Sequence, residues 1–190
     1  MQDTEIFYPK NISEWRDWLI RNHASKDSVW VVFYNKNSTK PSITWSESVE
    51  VALCFGWIDS KKIAIDKEQS HQFYSKRRAK STWSKINKDK VAQLIANGLM
   101  TKAGLESIEI AKQNGSWTLL DEVEQLIIPT DLLQAFQLHP GAKEYFDGLS
   151  KSTRKALLQW LVMAKQAITR QKRISEIAEL AAQHQKPKQF

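Results

Sequence analysis

The stretch from Ala52 to Gly104 constrains the fold of this chain more than any other part of it. It opens on the apolar run Ala-Leu-Cys-Phe, which Gly56 stops, because only glycine enters the left-handed backbone region without a Cβ penalty. Trp57 to Ile65 then reads as a strand, Asp66-Lys67-Glu68-Gln69 as its turn, and His71 to Ser75 as the antiparallel return. A basic loop follows from Lys76 to Lys90. Ser84 or Asn87 caps the next helix, whose inner face is Val91, Leu94 and Ile95, and Asn97-Gly98 closes it. Thr101 opens another helix, with Leu105, Ile108 and Ala111 turned inward, and Asn114-Gly115 ends that one.

The flanks are read from the same signals. Ser13 is a candidate N-cap for a helix carrying Trp15, Trp18 and Leu19 at helical spacing. Ser28 to Tyr34 is β-branched and aromatic on both faces, so it reads as a central strand covered on both sides. Thr44 with Glu47 three residues on is a capping box for a helix through Val49, Ala52 and Leu53. Beyond Gly115 the pattern becomes wholly helical, with Thr130 and Ser152 as candidate caps. Leu157, Leu161, Ala164 and Ile168 fall on one stripe, and a last helix carries Ile174, Ile177 and Ala181. The expected fold is α+β: a small antiparallel sheet of about three strands with helices over residues 1–115, then an all-helical unit over 116–190.

Charge narrows the partners. The net charge is +7, with Lys and Arg concentrated in residues 61–90 and 148–190 and acids in between, a layout that suits anionic partners. Cys54 is the single cysteine, so no internal disulfide can form and a reducing compartment is expected. The acidic start Met1-Gln2-Asp3-Thr4-Glu5 lacks the basic and apolar blocks of a signal peptide, and no apolar run approaches the ~20 residues that span a bilayer. The chain is therefore expected to be cytoplasmic, without a transmembrane segment. His23, His71, His139 and His184 are scattered without a ligand spacing, and no phosphate loop or nucleophile elbow occurs, so neither a metal nor a cofactor is expected.

Two groups of residues invite chemistry. Arg77, Arg78, Lys80, Lys85, Lys88 and Lys90 interleave with Tyr74 and Trp83. Such cations neutralise phosphates and such aromatics stack on unpaired bases, or else they are solvated lysines above a packed tryptophan. Ser81, Trp83, Ser84 and Asn87 put hydroxyls and an amide at a helix start beside two arginines, where an anion can be held or the helix simply capped. Cys54 is either a nucleophile activated by nearby cations or a small buried hydrophobe. Asp59 is either a general base or a structural partner for Arg77 or Arg78.

These residues also carry a resemblance. Ala-Leu-Cys-Phe-Gly-Trp-Ile-Asp (52–59), Arg-Arg-Ala-Lys-Ser-Thr-Trp-Ser-Lys-Ile-Asn (77–87), Gly-Leu-Met-Thr-Lys-Ala-Gly-Leu (98–105) and Ala-Lys-Gln-Ala-Ile-Thr-Arg-Gln-Lys-Arg-Ile (164–174) resemble the YdeI/OmpD-associated, or bacteriocin-protection, family. The resemblance implies a bacterial protein linked to protection against bacteriocins or cationic peptides, with no catalytic mechanism to transfer. The family pattern has an earlier arginine and a proline before Arg77-Arg78, where this chain has Phe73-Tyr74-Ser75-Lys76. Ala167 and Ile168 stand where the family has Pro and Glu, which removes one acid that could pair with Arg170 or Arg173.

The expected function is thus non-catalytic binding of an anionic small molecule or an acidic protein surface. The expected surface comprises Trp57, Asp59, Arg77, Arg78, Ser81, Trp83, Ser84 and Asn87. The alternatives are a nucleic-acid binder and a small-molecule enzyme using Asp59 or Cys54.

Overall fold

A computed structural model describes residues 4–190; the N-terminal start Met1–Asp3, on which part of the localisation expectation rests, lies outside the described residues. The chain is α+β. It divides into two compact units, one ending at Trp117 and one spanning Thr118–Phe190. Among the described residues no helix is long and apolar enough to cross a membrane.

The first unit is built on a four-stranded sheet: β1 (Ile6–Phe7), β2 (Ser28–Tyr34), β3 (Trp57–Ala64) and β4 (Gln69–Lys76), in the order β1-β2-β4-β3. β2 and β3 both run antiparallel to β4, as the hairpin pattern requires. β1 is the addition to the expected three strands, and it lies parallel to β2. Two residues are too few to show a period, so nothing in the pattern announces it. The hairpin turn is locked by the Asp66 carboxylate, whose Oδ1 accepts from the backbone N–H groups of Glu68 and Gln69, each at 2.7 Å.

Alternation along β2 places Val29, Val31 and Phe33 on one face with Tyr74 of β4, and these belong to the core. The helices α1 (Ile12–Asn22) and α2 (Trp45–Cys54) supply Trp15, Trp18, Leu19, Val49, Ala52 and Leu53 to the same core. Trp15 stacks on Trp18 at 5.4 Å and meets Tyr74 edge-on at 5.3 Å, while Trp18 meets Trp57 edge-on at 5.8 Å. Two polar groups in this core are matched: the Trp15 indole donates to the Ser48 carbonyl at 3.0 Å, and the Tyr74 hydroxyl shares a 2.6 Å bond with Ser48 Oγ. On the other face Trp30 and Phe73 meet at 5.0 Å and stay half-buried, with the Lys61 ammonium over both rings. The expectation of two covered faces therefore needs correction, since the second is only partly buried. Its large aromatics and the Lys61 stem shield the strand from solvent themselves.

Helices α3 (Lys85–Ala96) and α4 (Lys102–Gln113) complete this unit. Ser84 and Thr101 cap them, and the Thr44–Glu47 capping box opens α2. The cap of α1 is Asn11, not Ser13: its side chain accepts from the Glu14 N–H at 2.9 Å. Leu105 and Ile95 are exposed, so only Ile108 and Ala111, and Val91 and Leu94, face inward.

The second unit contains α5 (Asp121–Glu124), α6 (Thr130–Gln137), α7 (Ala142–Gly148), α8 (Lys151–Val162) and α9 (Ala167–Ala182), packed around Leu132, Phe136, Phe146, Leu157, Leu158, Leu161, Ile174 and Ile177. Ser150, not Ser152, caps α8, and α6 has no side-chain cap. The stripe expected through Ala164 and Ile168 is broken, because α8 stops at Val162 and Ile168 is exposed at the start of α9. Arg170 finds its acid across the unit: Nε and Nη2 donate to the Asp131 carboxylate at 2.6 and 3.0 Å. Arg173 lies over the Trp160 ring at 4.8 Å and donates to the Trp160 carbonyl. Both family-type arginines thus act inside the unit.

The Arg170–Asp131 pair has a pH signature. Hydrogen bonds from Arg170 hold the Asp131 carboxyl below its usual value. A depressed folded value means the stabilisation is present above the ordinary aspartate range near ~4 and is lost as pH falls through the folded value. The pair is partly exposed, so screening limits its worth to about 0.5–1 kcal/mol. Urea unfolding of the full chain should find Asp131→Asn less stable by that amount at neutral pH. The difference should vanish in acid; one that persists there contradicts this role.

Candidate functional site

Three separated segments meet at two carbonyls in the turn between α2 and β3. The Cys54 carbonyl accepts from the Thr101 N–H at 3.0 Å and from Thr101 Oγ1 at 2.7 Å. The Gly56 carbonyl accepts from the Arg77 N–H at 2.9 Å. These bonds bring 52–59, 77–87 and 98–105 together, which accounts for the glycines at their meeting point. Gly56 has φ +70°, and a Cβ there would stand 3.0 Å from the Ala103 carbonyl oxygen. At Gly104 a Cβ would stand 2.3 Å from the Cys54 carbonyl oxygen, so the two backbones touch only because Gly104 has no side chain.

The turn forms one wall of a cleft of about 510 Å³ lined by His23, Trp57, Lys76, Arg77, Lys102 and Ser107, among others. Arg77 is its distinctive member. The guanidinium lies on the Trp83 ring at 3.6 Å, and Nη2 donates to the Thr82 carbonyl at 2.7 Å. Nε and Nη1 are buried and have no partner among the described residues. Burial pushes the pKa of Arg77 down to about 10, against the opposing pull of the Asp59 charge. At neutral pH the group is still a cation, largely desolvated and without a carboxylate in contact. Such a planar fork matches carboxylate and phosphate geometry, and its charge is screened far less than one in open water.

The loop behind it is tied down. Asn114 Nδ2 and Ser116 Oγ both donate to the Ala79 carbonyl, at 2.7 and 3.3 Å. Trp83 is 1% exposed and tilts against Trp117 at 5.0 Å. Ser81 Oγ is buried without a partner among the described residues, close in sequence to Arg77.

The residues singled out in the sequence separate as follows. Trp57 and Arg77 line one cleft, and Trp57 is fully buried at its base. Asp59 opens into a different cleft, where Trp45 Nε1 and Gln72 Nε2 donate to its Oδ2 at 2.8 and 3.2 Å. It is not an ion-pair partner of Arg77 or Arg78, since its carboxylate points beneath Trp45. Arg78 is exposed, Ser84 caps α3, and the Asn87 N–H is the group that Ser84 caps. Trp83 and Tyr74 are both buried, so neither can stack on a base as the nucleic-acid reading required. Lys90 is consumed by Glu50 and by Ser46 Oγ. Cys54 is 1% exposed and burial pushes its thiol pKa up, which favours the buried-hydrophobe reading over the nucleophile. Sequence reasoning missed His23, Lys76 and Lys102 as cleft residues. Lys102 had one signal, its place directly after the Thr101 cap in a singled-out motif.

Two family models match the chain. Residues 7–107, which hold the whole three-segment junction, match the model described as Domain of unknown function (DUF8412), and the chain belongs to that family. Residues 125–184 match the model described as Bacteriocin-protection, YdeI or OmpD-Associated. The YdeI/OmpD-associated resemblance is thus carried by the C-terminal helices, and the motifs at 52–59, 77–87 and 98–105 fall within the other match. No curated protein and no solved structure matches the chain.

Proposed function

We propose that the first unit is a non-catalytic binder of a small anion, carrying a phosphate or carboxylate group, in the cleft beside Arg77. The observation that carries this reading is the buried Arg77 guanidinium, with two orphaned donors and no carboxylate against it. Leaving a buried cation unpaired is costly, and a bound anion removes that cost once a small side-chain shift opens Nε and Nη1, which are sealed from solvent, to the cleft. Lys102 at the rim, nine-tenths exposed, stands 3.7 Å from Glu106 of the same cleft, so its charge is partly offset and the buried guanidinium is the main attraction for an anion. The protective role in the description of the C-terminal match would then be exerted through ligand capture, with no bond made or broken.

Calorimetric titration of the full chain with inorganic phosphate and with citrate tests this. Wild type should bind at least one of them saturably. Arg77→Lys keeps the charge and loses the fork, and should weaken binding by about tenfold or more. No saturable binding of either anion, or unchanged binding by a folded Arg77→Lys variant, would sink the reading.

A further inference from the structure

The larger cleft of the first unit, about 990 Å³, lies between the start of α2, the β3–β4 hairpin and the loop after β2. Its chemistry differs from that of the Arg77 cleft. Gln72, only 5% exposed, donates through Nε2 to Asp59 Oδ2 at 3.2 Å and to the Ser60 carbonyl at 3.1 Å. Trp45 Nε1 donates to the same Oδ2 at 2.8 Å. One carboxylate oxygen is thereby held from two sides, while Asp59 Oδ1 has no partner among the described residues. The Trp45 indole, anchored at its N–H, is 52% exposed beside it. The open face of that indole is available to a ligand in the cleft.

The rim is preformed. Asn35 Nδ2 donates to the Lys67 carbonyl at 2.8 Å, Ser38 Oγ to Glu68 at 3.0 Å, and the Tyr34 N–H to Ser42 Oγ at 3.1 Å. The loop is thus sewn to the hairpin turn, and a ligand need not order it.

The floor chooses the ligand class. An acceptor carboxylate repels an anion. At the first turn of α2 Thr44 and Glu47 cap each other at 2.8 and 3.2 Å, and the cap brings a second negative charge to that end of the helix. Lys40 is drawn back onto Tyr34, 3.2 Å from its hydroxyl, while Lys36, Lys62 and Lys67 also line the cleft and are exposed, so the choice of ligand rests on the Asp59–Trp45 pair and not on the charge of the rim. An apolar ligand would leave Asp59 Oδ1 dry and unpaired, which is costly. Asp66 and Glu68 also line the cleft, but they are held by the hairpin turn and by Ser38, and among the described residues no three acids, histidines or cysteines are grouped to hold a hard divalent cation. Several hydroxyl donors on a compact frame with an apolar face satisfy every requirement: O–H groups donate to Oδ1 as charge-assisted bonds, and C–H groups pack on the indole. The volume is that of an ordinary small-ligand site.

We infer that this cleft binds a neutral polyhydroxylated ligand, a sugar unit, with Asp59 as the hydroxyl acceptor and Trp45 as the stacking face. The inference shares neither contact residues nor ligand with the anion site, although the Asp59 charge also reaches Arg77.

The test is an ¹⁵N–¹H NMR titration of the full chain with glucose, N-acetylglucosamine and ribose, following the Trp45 indole N–H, assigned with Trp45→Phe. At least one sugar should shift that signal saturably, and Asp59→Asn should weaken binding by about tenfold or more. Should Asp59→Asn perturb the fold, Trp45→Ala at its exposed position must abolish the effect, read at the Gln72 side-chain amide. Absence of a saturable shift with all three sugars overturns the inference, as does equal affinity in the folded variants. A Trp45 response to inorganic phosphate in place of the sugars also overturns it, and would leave the Arg77 reading to be judged by its own titration.

Discussion

Gly104→Ala is expected to destabilise the first unit by about 3 kcal/mol or more, the range of severe overpacking. The new Cβ would lie 2.3 Å from the carbonyl oxygen and 2.7 Å from the carbonyl carbon of Cys54. Both are backbone atoms, so no side-chain rotation relieves the clash. α4 must back away from the turn, which strains the two bonds from Thr101 to the Cys54 carbonyl. Gly98→Ala is the matched control. That glycine has φ +66° but open space around its Cβ position, so only the left-handed backbone is penalised, by about 1–2 kcal/mol. Urea unfolding should separate the two variants clearly. Equal losses would mean that the backbones at Cys54 and Gly104 do not touch.

Trp83→Ala is expected to cost about 3–5 kcal/mol, the usual range for removing a buried large aromatic. Trp83 is 1% exposed, fills space against Trp117 and is the platform under the Arg77 guanidinium. A desolvated cation–π contact is worth about 2 kcal/mol. Trp83→Phe combined with Arg77→Lys should therefore show a coupling of about 1–2 kcal/mol in a double-mutant cycle. Trp83→Phe alone should also weaken phosphate binding, because the guanidinium loses part of its support. A cycle that closes with no coupling would remove Trp83 from the site and leave it a core residue.

What was legible in the sequence was local. Thr44 with Glu47, Ser84 and Thr101 cap their helices because each cap needs only its own next turn. The hairpin was readable because Asp66 closes its turn within three residues. What was not legible depends on contacts distant in sequence. Gly104 sits in a helix pattern, and no neighbour says that the Cys54 carbonyl, fifty residues earlier, lies against it. Asp59 is two residues from Trp57 on β3, yet it belongs to another cleft, because Trp45 and Gln72 claim its carboxylate. The break after Val162 passes through Met163-Ala164-Lys165-Gln166, all good helix formers, so packing and not propensity ends α8 there. Asp131 as the partner of Arg170 could only be guessed from the acidic block, and no spacing rule links positions so far apart.

The most direct measurement is the Nε–H resonance of Arg77 in ¹⁵N–¹H spectra of the full chain, recorded with increasing inorganic phosphate. A buried guanidinium awaiting an anion predicts a saturable shift of that resonance and of the Lys102 backbone amide at the same rim, at phosphate levels that leave exposed Arg78 unmoved. An Arg77 signal that stays fixed, or that drifts without saturation alongside Arg78, would contradict the assignment of this cleft as an anion site.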